Sequence, residues 1–318
     1  MRPDPATRRA RLRDRLASGE LIVAPGACNG LGASLVERAG FEAVYMTGSG
    51  VANALTGKAD VGLLSLTEMA MMVRFMTHAT PLPVIADADN GYGNAINVVR
   101  TVEEYEAAGV TALHIEDQVV PKRCGSIAGK VVVPADEMEG KIRAACDARS
   151  DPNLVIIART DARAAHGLDE AIGRGRRYAA AGADVIFPDA LLSEAEYARF
   201  AAEVPGPKLL NMGGYARKRT TPKIPLETVA AMGYAIVLFP LASIRAAVAA
   251  ELDFLHGLRA RGTQHEIEHL DVLDGHPVEN WYEFTGISEV RALEDRYLPA
   301  ADVAARYANT AGHRPGDT

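Results

Sequence analysis

Several short apolar runs of the sequence end in acidic side chains. Asp87 and Asp89 lie at the end of PVIADAD (83–89), and Glu116 lies near the end of VTALHIED (110–117). Carboxylates that converge without partners repel one another unless a hard cation such as Mg²⁺ lies among them. Because Asp87 and Asp89 are two apart on one predicted strand, both should point to the same face. The pattern favours a Mg²⁺ site at these three acids; helix capping or pairing with Arg and Lys is the alternative.

Basic residues and a thiol accompany these acids. Arg159 ends the run LVIIAR, where its planar guanidinium suits a substrate carboxylate, although a structural salt bridge is the alternative. In the segment PKRCGS (121–126), Lys122 and Arg123 directly precede the thiol of Cys124. Neighbouring cations lower the pKa of a thiol, so we expect a depressed pKa and a reactive group. An incidental loop cysteine is the alternative.

One further motif, HEIEH at 265–269, matches the HExxH pattern of zinc peptidases. A metzincin would also need a glycine and a third histidine at fixed offsets, and Gly275 and His276 miss those positions. The segment also lies beyond the apolar runs. We therefore interpret it as a polar helix turn and reject a zinc peptidase.

The elements that would position these residues repeat along the chain. Helical stretches end at Gly40, Gly109, Gly182 and Gly233, each followed by an apolar run, and glycine suits the left-handed end of a helix. Further apolar runs at 21–24, 83–89, 154–159 and 208–212 bring the candidate strands to eight. Strand–helix alternation predicts an α/β fold, and eight units predict a closed (β/α)8 TIM-type barrel. An open doubly wound sheet is the alternative.

The helices can be placed from their periodicity. An N-terminal helix precedes the first strand, and the others are expected near 29–39, 65–78, 94–108, 134–149, 168–181, 193–203, 225–232, 243–260 and 287–297. We assign residues 1–260 to the barrel and 261–318 to a C-terminal helical extension of the same domain or of a subunit contact. Since the carboxyl ends of barrel strands gather at one mouth, the polar residues there should form one site.

Composition narrows the functional class. The chain of 318 residues has a formal net charge of −7, which argues against nucleic acid or an anionic membrane as its partner. No apolar run approaches the ~20 residues of a membrane span, and the polar N-terminus lacks the apolar core of a secretory signal. Three cysteines provide no disulfide framework. We therefore expect a cytoplasmic protein that acts on a small molecule.

Several blocks resemble the isocitrate lyase/phosphoenolpyruvate mutase superfamily, nearest the branch of 2-methylisocitrate lyase, 2,3-dimethylmalate lyase and carboxyphosphonoenolpyruvate phosphonomutase. The most specific blocks are PVIADADNGYGN (83–94) and EDQVVPKRCG (116–125), supported by AGFEAVYMTGSG (39–50) and IIARTDAR (156–163). The resemblance covers roughly residues 15–260. It implies a barrel whose last helix is swapped between subunits, assembled as a homotetramer that is a dimer of dimers.

The resemblance also implies roles for the site residues. The acid matching Asp87 contacts Mg²⁺ directly, with Mn²⁺ as an alternative ion, and those matching Asp60, Asp89 and Glu116 hold the water molecules of the ion. The cysteine matching Cys124 protonates the enolate left by carbon–carbon cleavage. We assign catalysis to Cys124, Arg159 and Lys122. We assign substrate binding to Thr47, Gly48, Ser49, Arg123, Gly125, Ser126, Asp189 and Asn211.

Three positions depart from the pattern of the family. Ser126 replaces a histidine of the loop, Asp189 replaces a glutamate, and Gly213-Gly214 follow Asn211-Met212. The half of the site that selects the leaving group is therefore remodelled. We predict a Mg²⁺-dependent carbon–carbon lyase for a small 2-hydroxy di- or tricarboxylic acid resembling 2-methylisocitrate or 2,3-dimethylmalate, releasing pyruvate or another 2-oxo acid through an enolate. An oxaloacetate-type decarboxylase, a phosphonomutase and a non-catalytic barrel are the alternatives.

Overall fold

Eight parallel strands form a closed barrel in the computed structural model, which describes residues 4–213, 221–308 and 311–315. The strands are β1 (Ile22–Ala27), β2 (Val44–Met46), β3 (Val84–Asp87), β4 (Ala112–Glu116), β5 (Val155–Thr160), β6 (Val185–Pro188), β7 (Lys208–Asn211) and β8 (Tyr234–Phe239). Each strand pairs with the next and β8 pairs with β1. The predicted (β/α)8 barrel is confirmed, and the open-sheet alternative is wrong. Gly214, one of the departing positions, lies outside the described residues.

The helices agree with the sequence analysis to within one residue at each expected end. They are α1 (Pro5–Ser18), α2 (Gly30–Arg38), α3 (Gly48–Thr56), α4 (Leu66–Ala79), α5 (Ala95–Ala107), α6 (Ala135–Ala148), α7 (Ala162–His166), α8 (Leu168–Ala180), α9 (Glu194–Glu203), α10 (Leu226–Ala231), α11 (Ala242–Arg261), α12 (Thr263–Val272), α13 (Trp281–Phe284), α14 (Ile287–Tyr297) and α15 (Ala300–Tyr307). The glycines predicted to end helices do adopt a positive φ, between 81° and 107°. Helices α3, α7, α13 and α15 were not predicted from the sequence, and α12 was predicted only as the helix turn at HEIEH.

Alternation along the strands builds two cores. In β5, Val155 and Ile157 face the axis of the barrel, and Ile156 and Ala158 pack outward against the helices. Continuing the same alternation, Arg159 points toward the axis. The axial layers are therefore apolar for most of their depth and become charged at the carboxyl ends of the strands.

Helix α1 closes the opposite end of the barrel. Leu12 is buried among the axial residues. Arg8 donates to the carbonyl of Thr77 at 2.8 Å, and Arg9 Nε donates to the carbonyl of Val110 at 2.9 Å. The carbonyl of Thr77 lies in the last turn of α4, which precedes β3, and that of Val110 lies just before β4, so α1 covers the amino ends of these strands.

The contacts within the chain divide it into two units, Met1–Ala247 and Val248–Thr318, earlier than the division at residue 260 expected from the sequence. In the second unit, the rings of His265 and His269 both contact Phe254, with centroids 5.2 and 4.8 Å away. No group of three His, Cys, Asp or Glu residues in the described ranges is arranged to hold a metal ion. The HEIEH segment is a helix turn, as interpreted. No helix in those ranges has the length and apolar content needed to cross a membrane.

Candidate active site

The polar residues predicted for the site lie at the carboxyl ends of the strands. Thr47, Gly48 and Ser49 follow β2, Asp87 ends β3, Glu116 ends β4, Arg159 lies near the end of β5, Asp189 follows β6 and Asn211 ends β7. Because the barrel is closed and its strands are parallel, these ends form one mouth. The fold brings together residues that are far apart in the sequence.

Asp87 is fixed by backbone amides. Its Oδ2 accepts a hydrogen bond from the amide of Gly48 at 3.2 Å, and its Oδ1 accepts one from the amide of Asp89 at 2.9 Å. A Cβ atom at Gly48 would lie 2.4 Å from Asp87 Oδ2, so this approach requires glycine. Burial alone would raise the pKa of Asp87, but the surrounding positive charges outweigh it and bring the pKa below its usual value. Asp87 is therefore an ionised carboxylate in the mouth.

Asp89 does not share the strand of Asp87. The strand ends at Asp87, and Asp89 has a φ of 48°, in the left-handed region. The prediction that the two acids share one strand is therefore wrong, because the chain leaves the extended conformation between them and period-two alternation does not set the direction of Asp89. Such a conformation costs a non-glycine residue about 1 kcal/mol or more and tends to occur at functional sites. Burial is the main cause that raises the pKa of Asp89 to about 6.

Lys122 joins two of the predicted metal-site acids. Its Nζ lies 2.8 Å from Asp60 Oδ2 and 2.7 Å from Asp89 Oδ1, and all three side chains are buried. Burial disfavours the charge of Lys122, but the acids around it raise its pKa well above the usual value. Lys122 is thus a cation that pairs with both acids. Asp60 belongs to no strand, and this pairing connects it to the other acids of the mouth.

Glu116 has unused hydrogen-bonding capacity. It is fully buried, and its Oε2 lies 3.1 Å from Arg159 Nη1. Neither carboxylate oxygen of Glu116 has a hydrogen-bond partner among the described residues. Burial raises the pKa of Glu116 well above its usual value. Buried acceptors are nearly always satisfied, so these oxygens indicate that something else interacts with them.

These oxygens suit a hard divalent cation. Mg²⁺ takes oxygen ligands, retains several of its water molecules and uses only one or two carboxylates directly. The described residues contain no group of three potential ligands close enough to share one ion directly. An ion at these acids would therefore be held directly by no more than two of them and would reach the others through its water molecules.

Arg159 is surrounded by carboxylates. Its Nε and Nη2 donate to the two oxygens of Asp161 at 2.9 and 3.0 Å, and Nη2 also lies 3.3 Å from Asp189 Oδ2. With Glu116, three acids therefore share this guanidinium. The acids raise the pKa of Arg159 well above its usual value in spite of burial. Arg159 is positioned in the mouth, but it already has the salt bridges that the sequence analysis named as the alternative role.

Asp189, Asn211 and Gly125 form the other side of the mouth. Asn211 Nδ2 donates to Asp189 Oδ1 at 3.1 Å. A Cβ atom at Gly125 would lie 1.9 Å from Asp189 Oδ2, so the loop segment fits against Asp189 only because residue 125 is glycine. Three of the predicted substrate-binding residues are therefore in direct proximity.

The loop that carries Cys124 is tied to the acid cluster. The amide of Cys124 donates to the carbonyl of Asp60 at 3.1 Å, and Arg123 exchanges backbone hydrogen bonds of 3.0 and 2.8 Å with the side chain of Gln118. Burial raises the pKa of the Cys124 thiol. The prediction of a depressed pKa is wrong, because burial outweighs the nearby cations. The thiol is therefore protonated near neutral pH and suits an acid rather than a nucleophile.

The structure adds residues to which the sequence analysis gave no role. His114 Nε2 lies 2.9 Å from the hydroxyl of Tyr45 and 3.7 Å from Asp87 Oδ1, and burial is the main cause that lowers the pKa of His114 to about 4. Its position two residues before Glu116 on an apolar strand was a usable signal. Asp161 and Lys130 also belong to the site, since Lys130 Nζ lies 2.8 Å from Asp161 Oδ1.

Known proteins match nearly the whole chain. The phosphoenolpyruvate phosphomutase family model matches residues 12–258. A 2,3-dimethylmalate lyase of Eubacterium barkeri is 42% identical over 91% of this chain and 97% of its own. A 2-methylisocitrate lyase of Aeropyrum pernix is 43% identical over 80% of this chain and 81% of its own.

Solved structures agree with the sequence matches. The crystal structure of a 2,3-dimethylmalate lyase, described as a PEP mutase/isocitrate lyase superfamily member, has a TM-score of 0.84 at 35% identity and covers 98% of this chain and 100% of its own. An oxaloacetate acetylhydrolase bound to 3,3-difluorooxalacetate has a TM-score of 0.83 at 35% identity, covering 92% of this chain and 98% of its own. The barrel, the acids of its mouth and these matches agree, and the chain belongs to the phosphoenolpyruvate mutase/isocitrate lyase superfamily of enzymes.

Proposed function

We propose that the chain is a Mg²⁺-dependent carbon–carbon lyase that acts on a small 2-hydroxy di- or tricarboxylic acid and releases a 2-oxo acid. The proposed substrates resemble 2,3-dimethylmalate and 2-methylisocitrate, which are named in the matched lyases. The observation that carries the proposal is the link between thiol and acids: the Cys124 amide donates to Asp60 at 3.1 Å, and Lys122 joins Asp60 to Asp89. The thiol that would protonate the leaving carbon and the acids that would bind the metal ion therefore lie in the same mouth of the barrel.

The proposed metal site uses Asp87 directly and Asp60, Asp89 and Glu116 through water. A divalent ion there would polarise the oxygen on C2 of the substrate. Mn²⁺ accepts the same oxygen donors and is the alternative ion. A phosphonopyruvate hydrolase whose structure contains oxalate and Mg²⁺ has a TM-score of 0.81 to this chain at 34% identity, which supports the assignment.

The residues of the chain then divide the chemical work. The amides that follow Thr47, together with Arg159, would bind the carboxylate next to C2. The 2-hydroxyl proton would pass to the neutral His114 through the hydroxyl of Tyr45. The C2–C3 bond breaks, its electron pair stays on C3, and the Cys124 thiol donates a proton to that carbon. The products are a 2-oxo acid and a saturated acid, and the proton held by His114 restores the thiol through solvent.

The leaving-group half of the mouth carries the specificity in this proposal. Ser126 and Asp189 replace the larger histidine and glutamate of the family pattern. Gly213 adds no side chain beside Asn211. Ser126 also lines a cavity of about 660 Å³ with Arg163 and Leu192. This cavity could accommodate the alkyl or carboxylate substituents on C3, so a substrate other than 2-methylisocitrate itself is expected.

A second candidate is cleavage or decarboxylation of oxaloacetate at the same site. The likeness to the oxaloacetate acetylhydrolase, with a TM-score of 0.83, favours including it. A phosphonomutase reaction would use the same enolate and is the third candidate. The protonated thiol disfavours only the phosphonomutase, which forms no C–H bond, because cleavage or decarboxylation of oxaloacetate also leaves a carbanion on C3 that takes up a proton. The two matched lyases favour the lyase over the oxaloacetate reactions.

We also propose a cytoplasmic homotetramer built from helix-swapped dimers. On α11, Val248, Leu252 and Leu255 are about half exposed, and this helix contains no buried residue. In the barrel, Val23 and Pro25 of β1 are only partly buried, unlike the fully buried β3. Both surfaces favour coverage by another copy of the chain, and light scattering of the purified protein would test the proposed mass.

The activity is tested by incubating the protein and Mg²⁺ with 2-methylisocitrate, 2,3-dimethylmalate and other 2-alkylmalates, and trapping the released 2-oxo acids as hydrazones. Oxaloacetate is itself a 2-oxo acid, so its turnover is followed by its loss. We expect release from an alkylmalate or alkylcitrate-type acid. Cys124→Ser should lower the rate by about 10²- to 10⁴-fold, the usual contribution of a positioned acid. Cys146→Ser, in α6, is the matched control and should retain activity. Turnover of oxaloacetate alone would replace the lyase proposal with the second candidate.

A further inference from the structure

Lys130 connects the Cys124 loop to the acids of the mouth. Its Nζ donates to the carbonyl of Gly125 at 2.7 Å and to Asp161 Oδ1 at 2.8 Å, and lies 3.4 Å from Asp189 Oδ2. The side chains of Lys130, Asp161 and Asp189 are 2%, 0% and 3% exposed. An ammonium group has three donors, so this contact set uses all of them.

The loop needs this connection over part of its length. Residues 122–124 are held by Asp60, Asp89 and Gln118, as described above. Residues 125–130 instead line one wall of the cavity of about 660 Å³. On that side, this part of the loop is not packed against other side chains. The bond from Lys130 to the Gly125 carbonyl therefore fixes the segment that immediately follows the thiol.

Lys130 also affects the charge around Arg159. Three buried carboxylates, those of Glu116, Asp161 and Asp189, face two cations, Arg159 and Lys130. Without Lys130, Asp161 and Asp189 would have Arg159 as their only paired cation, as Glu116 already does, and all three acids would compete with any carboxylate ligand for its donors. A buried acid that loses its cation is costly, so this competition would be strong.

We infer that Lys130 is a positioning residue that holds the Cys124 loop on the barrel mouth and shares the negative charge of Asp161 and Asp189 with Arg159. The part about Arg159 rests on the proposed lyase function, and the part about the loop does not. Burial opposes the charge of Lys130, but Asp161 and Asp189 raise its pKa above the usual value, so the cation persists across the neutral range.

The loop part is tested by the alkylation rate of Cys124 in the ligand-free protein, followed with iodoacetamide and peptide mass spectrometry. Lys130→Met should raise the rate at Cys124 about tenfold, and Lys130→Arg should raise it about threefold or less. Cys28 and Cys146 are internal references, because global unfolding would expose all three thiols together. Lys208→Met, which removes another buried lysine at the first residue of β7, should leave the rate at Cys124 unchanged.

If Lys130→Met does not fold, Asp161→Asn answers the same question, since it keeps the side-chain volume and removes the charge that Lys130 faces. An unchanged Cys124 rate in a folded Lys130→Met or Asp161→Asn variant would overturn the loop part. For the Arg159 part, Lys130→Met should raise KM by about tenfold or more, whereas a fall in kcat would report the displaced Cys124 loop. An unchanged KM would overturn it, whereas inactivity of the unmodified protein on every acid would count against the proposed function only.

Discussion

The two ends of the barrel differ in whether their buried charged side chains have hydrogen-bond partners. At the end closed by α1, Arg9 donates to the carbonyls of Val110 and Glu106 at 2.9 and 2.8 Å and pairs with Asp151 at 3.2 Å. At the mouth, the oxygens of Glu116 lack any hydrogen-bond partner in the described part of the chain. Satisfied charge at the closed end stabilises the fold. Buried oxygens without such partners at the mouth are expected to lower stability, which is the usual trade-off at functional sites.

The largest effect is expected at the closed end. Arg9→Met would leave Glu106, Asp151 and two carbonyls without their cation, so the free energy of unfolding in urea should fall by about 3 kcal/mol. The value of kcat/KM should stay within about twofold at a temperature where the variant is folded, because the mouth is untouched.

Arg11→Met, at an exposed position of the same helix, is the matched control and should change stability by less than about 0.5 kcal/mol. A large loss of kcat/KM in folded Arg9→Met would show that the two ends are not separate in function.

The opposite pattern is expected for Glu116→Gln at the mouth. The substitution keeps the shape and removes a charge that burial disfavours, so the free energy of unfolding without metal should stay equal or rise by about 1 kcal/mol. The rate of cleavage should fall by about 10- to 100-fold, the usual cost of losing an outer partner of a metal. Urea unfolding in EDTA and assays with excess Mg²⁺ measure the two effects. A clear loss of stability would mean that the ion pair with Arg159 outweighs the burial cost.

The same contrast explains what the sequence could predict. Apolar runs and helix-ending glycines such as Gly40 and Gly109 predicted every strand, because burial on both faces leaves an unambiguous apolar pattern. The gathering of Asp87, Glu116 and Arg159 followed from strand ends alone. Pattern rules could not place Asp89, since its left-handed backbone departs from strand alternation.

Contacts made by loops were beyond the sequence analysis. Lys130 is thirty-one residues from Asp161 in the sequence. Only the fold shows that the Lys130 ammonium group binds both Asp161 and the carbonyl of Gly125. The thiol of Cys124 was judged by its neighbours in sequence, Lys122 and Arg123, whereas its pKa is set mainly by burial. The local sequence shows which charged residues lie nearby, but it does not show how deeply a side chain is buried. For Cys124, burial decides whether the pKa is raised or lowered.

The smallest effect is expected in the pH dependence of the cleavage rate, which tests whether the pKa of Cys124 is raised or lowered. In the proposed mechanism, cleavage needs the protonated thiol of Cys124. Burial raises the pKa of this thiol, so the protonated form persists from neutral pH past the ordinary thiol pKa of about 8.5. Between pH 7 and 8 the cleavage rate should therefore vary by less than about twofold, and it should fall about tenfold per unit only at more alkaline pH. If Lys122 and Arg123 governed the thiol instead, the fall would begin below pH 8. The alkylation of Cys124 as a function of pH gives an independent value, because only the thiolate reacts, and a midpoint below that of Cys28 would restore the interpretation from the sequence.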